Sequence, residues 1–344
     1  MVARPRAGGG GIVLFVAAII AAGVAVGFFV RLMPVEATQE ARQIDQLFSA
    51  MLGIATTIFL LVEGMLVYSA FRFRRRKGDS DDGPPIHGST RLEIAWTIVP
   101  ALVAIWLGVY SYQILAVIQA PRPEALTVEV TARQFQWQFR YPENGVVSPH
   151  LHVPRGQAVR LRLRSEDVIH SFWVPAFRVK QDALPQRDLD VYFTAHTNGE
   201  YPVVCAELCG AGHARMGLTS VVIVEEQADF EVWIAQQAGA KPDDPRIELF
   251  NVAYGCNACH ALQAARATGQ IGPDLNGIGA RAAARVEGLA AEEYIRQSIL
   301  EPNAFIAPEC PQGACAAGVM PQDFDTRMAP GDLDAIVSLL LEQQ

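Results

Sequence analysis

The run Cys205-Ala-Glu-Leu-Cys209-Gly-Ala-Gly-His213-Ala-Arg-Met216 holds two thiols, an imidazole and a thioether, and a second imidazole, His170, lies upstream. These are soft donors, a set that suits copper better than calcium or magnesium. Zinc also takes cysteine and histidine, although a thioether is a poor zinc ligand. A Cys205–Cys209 disulfide is the third option. The other motif is Cys256-Asn-Ala-Cys259-His260. In an exported protein this pentapeptide signals haem c: two thioether bonds hold the porphyrin and the adjacent histidine binds iron. Its alternatives are a thioredoxin-like redox pair, which needs a βαβ setting, or half of a zinc site. The remaining two of the six cysteines, Cys310 and Cys315, close a short loop and read as a disulfide.

These motifs need a scaffold that places them outside a cell membrane. The chain has 344 residues, enough for two or three units. Its net charge of -8 argues against nucleic acid as a partner, and its 51% hydrophobic content is concentrated near the N-terminus. Three apolar stretches are long enough to span a bilayer: Gly11–Val30, Leu47–Phe71 and Ile94–Ile118. The second ends in Arg72, Arg74, Arg75, Arg76 and Lys77, so the loop running to Arg91 is cytoplasmic and everything after Pro121 lies outside. Residues 1–40, with Arg4 and Arg6 before the apolar run, read as a signal peptide or a first transmembrane helix, and 41–121 as a helical hairpin. Glu63 falls inside the second span and is expected to face a partner helix.

Residues 122–225 read as a β-sandwich or barrel. Leu126–Thr131 and Ala158–Arg164 alternate apolar and polar residues, and Leu189–Thr194 and Leu218–Val224 are further strands. A polar linker, 226–245, contains a helical stretch at Phe230–Ala238. From 246 to 344 helices are expected at Arg246–Ala253, Ala291–Leu300 and Gly331–Glu342.

The copper-type motif resembles the binuclear CuA site of cytochrome c oxidase subunit II, whose domain is cupredoxin-like. The resemblance implies that Cys205 and Cys209 bridge two coppers, capped by His170 and His213, with Met216 and the Glu207 carbonyl completing the set. It also implies a magnesium ion shared with subunit I through the Glu207 side chain. His87-Gly-Ser-Thr-Arg-Leu-Glu93-Ile-Ala-Trp96 is similar to the segment opening the family's last membrane helix, which makes Glu93 a proton-channel candidate. In the aromatic segment Gln134-Phe135-Gln136-Trp137 the position matching the family's electron-accepting tryptophan is Phe135, with Trp137 two residues on. That departure fits a donor built into the chain.

The C-terminal part resembles class I cytochrome c domains, an all-α fold, with Cys256, Cys259 and His260 holding haem and Met320 as sixth ligand in preference to Met328. Together these resemblances imply a multi-domain, multi-pass protein of a bacterial-type membrane, its two C-terminal domains on the periplasmic side. Its implied role is to pass electrons from haem c through CuA to subunit I of a proton-translocating oxidase. The implied partners are subunit I, other oxidase subunits and an external donor: a cytochrome, a copper protein or a cytochrome bc complex. A quinol oxidase subunit would lack the copper ligands. A CuA-bearing nitric oxide reductase and a membrane-anchored carrier are the remaining alternatives.

Overall fold

The computed structural model describes residues 9–75, 78, 88–238 and 244–344. Arg4, Arg6, Arg76, Lys77, His87 and linker positions 239–243 lie outside the described residues. The chain divides into two compact units, one of residues before 36 with 42–119, the other of 36–41 with 120–344.

The first unit is helical: α1 (Gly9–Phe29), α2 (Gln39–Arg72) and α3 (Thr90–Ile118). By length and composition α2 and α3 can each cross a bilayer, while α1 holds the shorter apolar stretch Val13–Phe29. Phe59, Leu66, Trp96 and Trp106 are exposed on them, as expected of side chains that face lipid or neighbouring helices. α1 and α2 approach closely through small residues. A Cβ on Gly27 would lie 2.8 Å from the Ser49 carbonyl oxygen, and one on Gly53 3.1 Å from that of Gly23.

The second unit begins with a β-sandwich. Its larger sheet has the order β3 (Val146–Ser148), β2 (Gln136–Tyr141), β1 (Leu126–Arg133), β5 (Ala158–Ser165) and β8 (Leu189–Thr194). β1 and β5 run parallel, with Val128 opposite Leu161, and the other pairs are antiparallel. Two three-stranded sheets complete it: β10 (Val204–Cys205), β6 (His170–Val174) and β7 (Val179–Ala183); and β4 (Leu151–Pro154), β11 (Val221–Glu225) and β9 (Gly199–Pro202). Alternation puts Val128, Val130 and Ala132 of β1 and Val159, Leu161 and Leu163 of β5 inside, against Trp137, Phe139, Phe172 and Phe193. Each such large side chain, fully buried, stabilises the fold by about 1.5–3 kcal/mol.

The expected strands at 126, 158 and 189 coincide with β1, β5 and β8. The one expected at Leu218–Val224 starts later, because Met216–Thr219 forms the helical turn α4, closed by the Thr219 hydroxyl donating to the Met216 carbonyl at 2.8 Å. The helix expected inside the linker is α5 (Gln227–Ala238), and it belongs to the sandwich: Phe230 and Ile234 join its core, and Trp233 stacks on His152 at 3.8 Å.

The C-terminal region has a core of its own, around Phe250, Leu262, Ile295, Ile336 and Leu340. It contains α6 (Pro245–Glu248), which runs on into a wider turn at Leu249–Ala253, and a two-residue hairpin of β12 (Ala261–Leu262) and β13 (Ala267–Thr268). Further on come α7 (Ile278–Arg281), α8 (Ala291–Leu300), α9 (Phe324–Arg327) and α10 (Pro330–Leu341). The helices expected at 246, 291 and 331 are present. Long loops and short turns separate them, so the region is less regular than an all-α domain. Arg246 ties its two ends by ion pairs to Asp244 and Glu342. A disulfide joins Cys310 and Cys315.

Candidate functional site

β6 and β10 create the first donor cluster. Their antiparallel register sets Cys205 opposite Phe172, two residues from His170, and the Ala206 amide donates to the Ser171 carbonyl at 2.8 Å. His170 is fully buried, and its Nδ1 lies 3.8 Å from the Cys205 sulfur. The loop then turns back, leaving the two sulfurs 4.0 Å apart. Cys209 Sγ is 3.6 Å from His213 Nδ1 and 3.5 Å from Met216 Sδ, and the Glu207 carbonyl oxygen is 3.2 Å from Cys205 Sγ. Donor atoms of His170, Cys205 and Cys209 all lie within 4.8 Å of one another. All six residues singled out in the sequence therefore converge, and the soft His/Cys/Cys group fits copper.

Two residues that sequence reasoning missed hold this cluster. Asp167 accepts from His170 Nε2 at 2.8 Å and from the Gln134 and Val168 amides. A carboxylate can only accept, so the Nε2 proton is held by Asp167, and it is Nδ1, facing the sulfurs, that offers a lone pair once a metal displaces the second proton. Gln134 also donates its side-chain amide to the Cys209 carbonyl. The only sequence signal for Asp167 is a carboxylate three residues before a candidate histidine; for Gln134 there is none.

Charges inside the cluster are coupled. Burial pulls the His170 imidazole down, but hydrogen bonds to Asp167 and Cys205 outweigh it and push the group up to about 9. Burial raises the Cys205 thiol, and the His170 contact overcomes this and draws it well below its usual range. Cys209 is held protonated by burial and by the neighbouring Cys205 charge. A cation bound here would displace these protons, which is why thiolate sites bind metal in competition with acid.

The second cluster lines an apolar cavity in the C-terminal region. Cys256, Cys259, His260, Met320 and Met328 all border it. Burial pushes the two thiols up to about 12 and about 11. They are not joined to each other. His260 Nδ1 donates to the Pro273 carbonyl at 2.8 Å; a carbonyl only accepts, so Nε2 is left with a free lone pair. Burial also lowers the His260 pKa, keeping the ring neutral. Gly272 makes room for the ring, since a Cβ there would lie 2.5 Å from His260 Cε1. An apolar cavity, two unjoined thiols and an imidazole nitrogen with a free lone pair fit a covalently held haem.

Phe135 belongs to both places. It borders the cavity, and Gly210 and Gly212 of the donor loop lie on its ring, where a Cβ on Gly212 would overlap it. Trp137 is 1% exposed and edge-on to His170 and Phe172, inside the core and closed to an external donor. Glu93 lies exposed in the first turn of α3.

The family model for the transmembrane domain of cytochrome c oxidase subunit II matches residues 13–114, and that for its periplasmic domain matches 146–224. Cytochrome c oxidase subunit 2 of Synechocystis is 37% identical over 265 residues, covering 63% of this chain and 79% of the relative. The same subunit of Alkalihalophilus pseudofirmus is 29% identical over 303 residues, covering 83% of this chain and 84% of the relative. The solved periplasmic domain of subunit II of cytochrome oxidase from Bradyrhizobium japonicum is 31% identical and covers 35% of this chain and 98% of its own, with a TM-score of 0.32.

Proposed function

The chain belongs to the cytochrome c oxidase subunit II family, and on that premise we propose that it carries two redox centres, a binuclear copper site and a covalent haem c, in series. It is the subunit through which electrons enter a haem-copper terminal oxidase, while oxygen reduction takes place in the partner subunit I. The observation that carries the copper assignment is the convergence of His170, Cys205 and Cys209, with His213, Met216 and the Glu207 carbonyl at the same sulfurs. Copper held by these soft donors would supply one-electron transfer. The protein's part is to hold the donors still: β6 and β10 fix His170 and Cys205, Asp167 sets the His170 tautomer, and Gln134 ties down the Cys209 carbonyl.

Covalent haem c in the C-terminal cavity would supply one-electron transfer from an external donor. Cys256 and Cys259 would anchor it, and His260 Nε2 and Met320 would hold its iron. The relative that covers 83% of this chain aligns with more of it than the residues before the C-terminal domain can supply, which supports a shared C-terminal module. Exposed apolar residues crowd the copper donors: Val168 and Ile169 precede His170, Leu208 precedes Cys209, and Leu218 follows Met216. They form the surface that subunit I covers, and exposed Glu207 offers its carboxylate there to a shared magnesium ion. Glu93 serves proton uptake in the pumping complex. The close fit of α1 on α2, together with the family match beginning at residue 13, supports α1 as a retained membrane helix and the chain as multi-pass.

The test is purification of the complex from membranes with EPR and optical spectroscopy. A mixed-valence dicopper signal and a low-spin haem c are expected, and Cys205→Ser should abolish the first and leave the second. A dicopper signal that survives Cys205→Ser contradicts the assignment.

A further inference from the structure

Opposed residues in an antiparallel pair point to the same side of a sheet. In the β1–β2 pair Arg133 stands opposite Gln136, and Thr131 opposite Gln138. Arg133, Gln136 and Gln138 therefore share one face, opposite the core side chains Trp137 and Phe139. An outer face of a sheet is normally wet. Here Arg133 is only 4% exposed and Gln136 7%.

The cover is the segment just ahead of the haem-attachment motif. Arg133 Nη1 donates to the Ala253 carbonyl at 2.8 Å, and Nη2 reaches the Val252 carbonyl at 3.5 Å. Gln138 Nε2 donates to the same Val252 carbonyl at 3.0 Å. Gly255, at φ 63°, presses so closely on Gln136 that any Cβ would overlap the side-chain amide. Residues 252–255 are thus gripped immediately before Cys256. The two carbonyls end a helical turn, where acceptors lack partners within the helix and carry partial negative charge, so a guanidinium is the fitting donor.

A buried guanidinium must find its hydrogen bonds inside the protein. Arg133 is paired in charge with the Glu166 carboxylate, 3.3 Å from an Nε that makes no hydrogen bond, and its hydrogen bonds are made to the C-terminal region. The arrangement of Arg133 therefore encodes a docked state and not a loose tether. Arg133 is also followed directly by Gln134 and Phe135, which touch the copper loop and the cavity.

We propose that Arg133 of β1 is a positioning residue that, with Gln138 of β2, latches the segment bearing Cys256, Cys259 and His260 onto this strand pair, fixing the haem-attachment residues beside Phe135. Electrons then reach the copper centre from one standing arrangement without a swinging domain. This inference rests on the haem c reading above.

The test uses the intact oxidase complex, with light-triggered reduction of haem c and optical detection of electron arrival at copper. In the wild type the rate is expected to be independent of viscosity as glycerol is added. A rate that falls in proportion to viscosity overturns the latch. Arg133→Gln should slow the step about tenfold, the effect of losing a charged buried hydrogen bond, and make it viscosity-dependent. Haem content, haem spectrum and dicopper signal should stay unchanged in that variant. Gln138→Ala, which removes one neutral bond, should slow it about threefold and remains informative if Arg133→Gln does not fold. An unchanged rate in Arg133→Gln, or in both variants, overturns the latch alone. Absence of covalent haem from the wild-type complex overturns the haem reading and the latch together.

Discussion

In the β-sandwich the copper donors meet over a core already filled by Trp137, Phe139, Phe172 and Phe193, all at most 1% exposed. In the C-terminal region Cys256, Cys259 and His260 stand at the edge of a cavity that its own core residues leave open. The first region is held by strand pairing and aromatic packing, and its ligands are spread from His170 to Met216. The second has short helices, long loops and one small disulfide, and its central volume is lined largely by apolar side chains. The difference teaches which cofactor is a guest and which is a structural member. On the proposed reading, copper would be received by a domain with a full core of its own, whereas haem would form part of the core of the C-terminal region.

That contrast breaks if removing each cofactor has the same effect. The largest change is expected from Cys256→Ser with Cys259→Ser. Covalent haem should be lost and the region after 245 should become rapidly cleaved by protease, while the dicopper EPR signal persists. A region still resistant without haem would show that its core suffices. Next is Phe172→Ala in the sandwich, where loss of a large core ring costs about 3–5 kcal/mol. Thermal unfolding of the sandwich should register that loss equally in copper-loaded and copper-depleted protein. A cost that appears only with copper bound would make the metal part of the core. The smallest effect belongs to Cys310→Ser with Cys315→Ser: opening so short a loop should destabilise the C-terminal region by about 2 kcal/mol and leave the sandwich untouched. Chemical denaturation followed separately by haem absorbance and by tryptophan fluorescence would resolve the two regions.

What was legible in the sequence follows the same division. Cys205 to Met216 and Cys256 to His260 are local motifs, so spacing alone revealed them. Val128, Val130 and Ala132, like Val159, Leu161 and Leu163, alternate strictly, so β1 and β5 were readable as half-buried strands. Short β6 and β10, which bring His170 to Cys205, carry no such signal, because His-Ser-Phe-Trp-Val is buried on nearly every residue. Asp167 lies only three residues from His170, but Gln134, which binds both Asp167 and the Cys209 carbonyl, acts through partners distant in the chain that only tertiary structure defines. Parity alone would put Phe135 on the same side as Trp137; what separates them is that Trp137 lies within β2 and points into the core, whereas Phe135 precedes the strand and touches both sites. The α5 helix falls in the expected linker because Gln236-Gln237, Gly239 and the run Lys241-Pro-Asp-Asp-Pro245 give the segment a polar, turn-rich end, although Phe230 and Ile234 bury against the sandwich.

The central claim is that one chain carries an inbuilt haem beside its copper donors. Mass spectrometry of the chain, denatured after purification from the complex, tests this most directly. The account predicts the added mass of one haem, mapping to the peptide that holds Cys256 and Cys259. A chain at the mass of the polypeptide alone, with both thiols free to react, would contradict it.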